Sequence, residues 1–100
     1  MSTGRLQDLG AGRFRLEGEV DFDSVPELWA GSEAAFAPHA SLEVDLDGVT
    51  RADSAAVALL LAWTRRAGAQ AKTLRFRRLP ATMLAIVELS DLDGLLPLEP

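Results

Sequence analysis

The feature that most constrains the fold is an uninterrupted apolar run at residues 55–63, bounded by polar residues of the kinds that begin and end a helix. An aspartate and a serine precede the run, and two arginines and then a glycine follow it. An acidic N-cap, cations in the last turn and a terminating glycine suit the helix dipole. The nine residues are about half of what a bilayer crossing needs. The run therefore predicts a buried helix, with Leu59, Leu60 and Trp63 facing a sheet.

The rest of the chain alternates between strand and helix patterns. Residues 13–20 and 41–46 place apolar side chains at every second position, which predicts half-buried strands. A capping-box pattern beginning at Ser24 predicts a helix over residues 25–36, and Pro80 opens a helix that ends near Ser90. Three further strands are predicted: a weak one around Leu6, a main one over residues 73–79 and a short edge strand over residues 94–98.

The resulting element order is ββαβαβα, with a short final strand as an addition. Short loops and strand–helix alternation predict right-handed crossovers and a mixed β-sheet of an α/β protein, with α-helices packed on it. The pattern contains no linker, internal repeat or low-complexity segment, so residues 1–100 are predicted to form a single domain.

Charge is distributed in blocks along the chain. The net charge of −5 argues against general nucleic-acid binding. Residues 54–87 carry six basic residues and no acidic one, whereas residues 88–100 carry four acidic residues and no basic one. The basic block predicts either a basic docking face or simply solvated ends of helices and strands.

Little in the sequence supports catalysis. The absence of cysteine removes thiolate nucleophiles and disulfides, and the one histidine, His39, is predicted to lie in a surface loop. Asp45 and Asp47 alternate onto a polar strand face, away from any apolar pocket that would raise a carboxyl pKa. We therefore expect no enzyme activity, no cofactor, no metal and no direct membrane insertion. No apolar segment follows the first residues, which predicts a cytoplasmic domain.

One segment carries a more specific signal, the passage from strand to helix at residues 44–54. A helix N-terminus exposes unpaired N–H groups and favours anions and acceptor side chains. Asp53 is the predicted N-cap, which leaves the Ser54 hydroxyl accessible. The residues alone leave three roles open for Ser54: a binding contact, a phosphorylation switch, or only a helix-start residue.

The same segment, followed by the leucine-rich helix, resembles the signature of STAS domains, the family of the anti-sigma-factor antagonists. The resemblance rests on an apolar strand, an Asp-Leu pair at Asp45 and Leu46, a short loop, Asp53-Ser54, small residues and then Leu59. The length and the element order agree with that fold across nearly the whole chain. The resemblance implies a STAS-type mixed sheet and a function in binding another protein.

Two branches of the family compete. The first is the small subunit of Mla-type phospholipid transporters, an accessory domain that binds the cytoplasmic ATPase of an ABC transporter at the inner membrane. The chain is similar to it in Gly18-Glu19-Val20-Asp21 before a helix containing Leu28-Trp29, and in residues 49–54 leading into residues 58–61. That branch usually has threonine where this chain has Ser54, so a methyl contact is missing.

The second branch is the antagonist switched by phosphorylation, whose partner is an anti-sigma-factor kinase that modifies the serine matching Ser54. That branch usually has glycine two residues after the serine, whereas this chain has Ala56. The sequence therefore favours the transporter branch. The resemblance implies a partner-binding surface on Arg51, Asp53 and Ser54 and on the exposed side of the following helix, at Val57, Ala58, Leu61 and Arg65. Trp29 is interpreted as a core residue, with an interface role as the alternative.

Overall fold

The computed structural model describes residues 3–99, which form four strands and three helices in the predicted order ββαβαβα. The strands are β1 (Arg5–Gly10), β2 (Arg13–Val20), β3 (Ser41–Ala52) and β4 (Thr73–Arg77), and the helices are α1 (Val25–Phe36), α2 (Ser54–Ala69) and α3 (Ala81–Leu89). The fold class and the order of elements are as the sequence predicts, including the weak first strand.

The four strands make one mixed sheet in the order β1-β2-β3-β4. β1 and β2 form an antiparallel hairpin, whereas β2, β3 and β4 run parallel and are joined by the crossover helices α1 and α2. Gly12 allows the hairpin turn because its φ is +79° and a Cβ there would lie 2.3 Å from the Ser41 carbonyl oxygen. Glycine alone tolerates both conditions.

All three helices cover the same face of the sheet. The inward side chains of β2, β3 and β4 belong to one buried cluster together with side chains from every helix. Trp63 of α2 lies at the centre of this cluster, 5.4 Å from the ring of Phe36, which in turn meets Phe14 of β2 at 4.9 Å. The structure is therefore a two-layer α/β arrangement with α2 packed between α1 and α3.

The opposite face of the sheet carries ion pairs. Glu43 bridges Arg13 and Arg77, and Arg77 also contacts Glu99 at 2.9 Å. Three of the six cations of the basic block, Arg75 among them, lie here beside carboxylates from other parts of the chain. The block therefore does not form one uniform basic face, because the fold brings acidic partners to half of it.

Several local predictions need correction. The capping box at Ser24 does not form, because its hydroxyl donates to the Glu19 carbonyl at 2.9 Å and accepts from the Asp21 amide at 3.0 Å. β3 continues six residues beyond the predicted end, to Ala52. The predicted strand over residues 94–98 is reduced to one bridge between Leu98 and Phe76. The predicted strand over 73–79 ends at Arg77, since the next residue turns to a φ of +55°.

Trp29 also departs from its core interpretation, because 37% of it is exposed. Its ring is covered by Arg66, whose guanidinium carbon lies 4.1 Å from the ring centre. Burial lowers the pKa of Arg66, while the nearby Glu33 acts in the opposite direction. Trp29 is thus a cation–π platform on the flank of α1, half open to solvent.

A buried hydroxyl joins α1 to α2 beneath this platform. Ser32 is fully buried, and its Oγ accepts a hydrogen bond from Trp63 Nε1 at 2.8 Å and from Arg66 at 2.6 Å. The same hydroxyl donates to the Trp29 carbonyl at 2.8 Å. One small side chain therefore satisfies donors from two residues of α2, and a methyl group there would satisfy none.

We expect Ser32→Ala to lower the free energy of unfolding by about 1–3 kcal/mol, because it leaves the buried indole N–H without an acceptor. The exposed serine Ser41 provides a matched control, and Ser41→Ala is expected to stay within about 0.5 kcal/mol of the parent. Urea unfolding followed by Trp fluorescence measures both variants. Equal stability of the two variants would contradict the role given to Ser32.

The ion pair between Arg78 and Asp45 on the outer sheet face should make the stability of the fold depend on pH. The hydrogen bond from Arg78 lowers the pKa of Asp45, against a smaller opposing effect of burial. A depressed pKa in the folded state adds stability that is complete above the unfolded value of about 3.9 and is lost as pH falls through the folded value. Asp45→Asn should therefore lower the Tm at pH 7, and this difference should shrink on acidification toward pH 2.

Thermal scans of both proteins from pH 7 to pH 2 measure this difference. Asp93→Asn is the control, because it removes the same charge from an exposed aspartate outside this ion pair. A Tm difference for Asp45→Asn that does not change with pH would show that the carboxylate contributes nothing through its charge.

Candidate partner-binding surface at the start of the central helix

The turn from β3 into α2 is fixed by Asp53, which is the N-cap as predicted. Its backbone is extended, and its Oδ1 accepts a hydrogen bond from the Ala55 amide at 2.8 Å. Its carbonyl oxygen accepts from the Ala56 amide at 3.1 Å. Asp53 is half-buried and occupied by these contacts, so it shapes the surface more than it offers a free carboxylate.

Ser54 is the first residue of α2 and is exposed. Within residues 3–99, its hydroxyl takes no part in the hydrogen bonds that hold the turn, and these involve Asp53. It lies at the positive end of a sixteen-residue helix, where a hydrogen-bond acceptor or an anion is favoured. The geometry therefore leaves this hydroxyl available to another molecule.

Four residues along α2 continue this surface. Ser54, Ala58, Leu61 and Arg65 are separated by four, three and four positions, which at about 100° per residue places them on one stripe of the helix. Ala58 and Arg65 are exposed, and Leu61 is partly buried at its edge. We call these four residues, with the exposed Arg51 at the end of β3 and the N-cap Asp53, the Ser54 stripe. They are six of the seven residues that the sequence analysis assigned to the surface.

The seventh residue, Val57, was expected on the exposed side of α2, and that expectation is wrong. Only 2% of Val57 is exposed. It precedes Ala58 by one position, so it is turned about 100° away from the stripe. Because α2 packs against both α1 and α3, its accessible stripe is narrow and Val57 is covered by a flank. Val57 belongs to the core and leaves the candidate surface.

Phe22 is a surface residue that sequence reasoning missed. It lies in the turn between β2 and α1, and 72% of it is exposed. Its backbone amide donates to Asp53 Oδ2 at 3.4 Å, which brings this turn beside the start of α2. An aromatic residue between two acids, Asp21-Phe22-Asp23, outside any periodic pattern, was the available signal. An exposed aromatic side chain in a turn that meets the N-cap of α2 is typical of an interface anchor.

The part of the chain that the structure describes was searched for clusters of metal-ligating side chains. Within residues 3–99, no group of three or more potential metal ligands lies close together. His39 lies in the loop after α1, as predicted, and its ring meets the Phe14 ring edge-on with 5.9 Å between the ring centres. In the same part of the chain no helix has both the length and the apolarity to span a membrane.

Comparison with known proteins identifies the family. A family model described as "Mlab, STAS domain" matches residues 5–97. A solved anti-sigma factor antagonist from Mycobacterium paratuberculosis is 27% identical, with a TM-score of 0.77 over 98% of this chain and 85% of that one. No curated protein sequence gives a significant match. Since the family model covers nearly the whole chain, the chain belongs to the MlaB-type STAS domain family.

Two structures of SpoIIAA share the fold at lower identity. The phosphorylated form of this Bacillus cell fate determinant is 21% identical, with a TM-score of 0.71 over 97% of this chain and 89% of that chain. The unphosphorylated form is also 21% identical, with a TM-score of 0.66 over 87% and 83%. These likenesses establish the architecture, and they agree with the two-layer arrangement described above.

Proposed function

We propose that this chain is a non-catalytic accessory subunit that binds the cytoplasmic ATPase of a Mla-type ABC phospholipid transporter. In this function it supports the assembly and activity of a system that maintains outer-membrane lipid asymmetry. It would be cytoplasmic and held at the inner membrane only through the transporter complex. Membership of the MlaB-type family supports the proposal, and the accessible Ser54 stripe is the single structural observation that carries it.

The chemistry of the stripe suits a closely packed protein contact. The Ser54 hydroxyl can donate to and accept from a partner, and Ala58 lets a partner backbone approach the helix. Leu61 adds apolar area, and Phe22 supplies an aromatic anchor at the same end of α2. Arg51 and Arg65 provide charges that fix orientation at the rim. The partner surface should therefore be mostly small and apolar, with acceptors for the hydroxyl and acidic residues at its margin.

Binding should depend on the size and charge at position 54. We expect Ser54→Glu to weaken binding to the ATPase subunit by at least tenfold, about 1.4 kcal/mol, because it places a larger, charged side chain in the contact. Ser54→Ala should weaken it only a few-fold, since it removes one hydrogen bond without adding bulk. Isothermal titration calorimetry with the purified ATPase subunit measures both variants.

Thr82→Glu is the matched control for this experiment. Thr82 is exposed in the first turn of α3, so glutamate there also lies near a helix N-terminus but outside the Ser54 stripe. It should leave affinity for the ATPase unchanged. Retention of full affinity by Ser54→Glu would remove the Ser54 stripe from the interface.

A second function is carried by the likeness to the anti-sigma factor antagonists. The 27% identical mycobacterial relative is named as one, and the Ser54 hydroxyl is accessible at a helix start where a phosphate would be stabilised. In this alternative the partner is an anti-sigma-factor kinase that phosphorylates Ser54 and thereby releases the chain. The absence of glycine at position 56 weighs against it.

Affinity purification from native cells, with mass spectrometry of the partners and of residue 54, separates the two functions. The transporter function predicts recovery of an ABC ATPase with its membrane subunits and an unmodified Ser54. The alternative predicts a histidine-kinase-like ATP-binding protein and a fraction of the chain heavier by one phosphate, which Ser54→Ala abolishes. Recovery of that kinase with phosphate on Ser54 would overturn the transporter proposal.

A further inference from the structure

The helix α3 is apolar on the side that faces solvent as well as on the side that faces the core. Glu88 is its one charged residue, and only Met83 and Val87 are fully buried. Leu84 is 37% exposed and Leu89 88% exposed. They lie about 140° apart around the helix, at the two borders of its exposed side, with the exposed Ala85 between them. An exposed apolar patch of this kind is commonly an interaction surface. In the described part of the chain nothing covers this side of α3.

A groove continues this apolar surface beside the start of α3. It encloses about 540 Å³ and is lined by Leu79, Leu84, Leu98, Arg78 and Glu99. Its two charged residues are already engaged, since Arg78 pairs with Asp45 and Glu99 pairs with Arg77 at 2.9 Å. The leucines of the groove are therefore available to a binding partner, whereas its two charged side chains are engaged in ion pairs within the chain.

The margin of this surface is acidic. Glu88, Asp91 and Asp93 are exposed, and within residues 3–99 none of them takes part in an ion pair. No Lys or Arg occurs anywhere in residues 88–99. The exposed Leu95, 59% accessible, lies among these acids in the turn that follows α3. The three free negative charges thus lie at the carboxyl end of the apolar helix, and the groove lies beside its start.

The negative charge of these three acids indicates which kind of partner can bind this surface. In a symmetric dimer the same patch meets itself, so two copies would bring the same free acids together and repel. An anionic lipid surface would be repelled for the same reason. We propose that the exposed face of α3, with its groove, docks a basic amphipathic helix of a partner protein. The leucines receive the apolar side of that helix, and its Lys or Arg residues face Glu88, Asp91 and Asp93.

The test uses a labelled peptide of about four helical turns, with Leu at positions i, i+3, i+4 and i+7 and Lys at its margins. The same peptide with Glu in place of Lys is the matched probe. Fluorescence anisotropy with the full chain should show binding of the Lys peptide and none of the Glu peptide. Equal binding of both peptides would overturn the charge argument.

Two pairs of variants locate the site. Glu88→Lys with Asp93→Lys should weaken binding of the Lys peptide at least tenfold and allow the Glu peptide to bind. Glu27→Lys with Glu33→Lys makes the same change of net charge on exposed positions of α1 and should weaken it less than threefold. Equal losses in the two pairs would show attraction to net charge only, and would overturn the site.

The apolar part has its own control. Leu84→Gln with Leu89→Gln should weaken the Lys peptide at least tenfold, whereas Leu9→Gln, at an exposed leucine of β1, should not change it. Circular dichroism confirms that each variant folds. Full binding by the Leu84 and Leu89 variant would overturn the proposal. A dimer of the unmodified chain that Leu89→Gln dissociates in sedimentation equilibrium would overturn it as well.

This proposal can fail or succeed independently of the ATPase contact, because Ser54→Glu should leave binding of the Lys peptide unaffected.

Discussion

Burial of the inward side of α2 against the parallel part of the sheet is the interaction on which the other features depend. Leu59, Leu60 and Trp63 belong to the buried cluster that holds the inward side chains of β2, β3 and β4, and Trp63 also meets Phe36 of α1. A helix held this firmly has a fixed rotation about its axis. Its opposite side therefore presents one stripe to solvent, and the start of that stripe is the Ser54 hydroxyl. The candidate surface is a direct geometric consequence of core packing.

Polar contacts within the helical layer refine that placement. Ser32 receives hydrogen bonds from Trp63 and Arg66, and Arg66 then covers the ring of Trp29. These contacts set the position of α1 relative to α2, and with it the turn that carries Phe22. The turn of Phe22 meets the start of α2 through the hydrogen bond from its amide to Asp53. Packing specificity of this kind commonly comes from a satisfied buried polar group.

The sequence predicted the fold well because the strongest patterns are local and periodic. Alternation in β2 and β3 and the apolar run of α2 each reflect burial of a regular element, and the order of residues along the chain shows it directly. The N-cap at Asp53 was predictable for the same reason. The Ser24 capping box was not, because a competing carbonyl from β2 lies within reach only once the chain is folded. Tertiary contacts decided that case.

The candidate site was less predictable, again for identifiable reasons. Helical spacing predicted the exposure of Ala58 and Arg65, but it could not show that α2 has neighbours on both flanks, and these bury Val57. Phe22 lies in a turn without periodicity, so its exposure and its hydrogen bond to Asp53 depend on the crossing of separate elements. The exposure of a residue was predictable where it depends on its own helix or strand alone. It was not predictable where it depends on how a second element packs against the first.

The single bridge at Leu98 has a consequence of a different kind. The Phe76 amide donates to the Pro97 carbonyl at 3.0 Å, and the Phe76 carbonyl accepts from the Glu99 amide at 2.9 Å, so the outer edge of β4 is occupied at its centre. Proline beside that bridge has no N–H to offer a further strand. The sheet therefore terminates at this edge instead of offering a template for strand addition or for edge-to-edge aggregation. Backbone pairing with a strand of a neighbouring protein is therefore closed at this edge of the sheet.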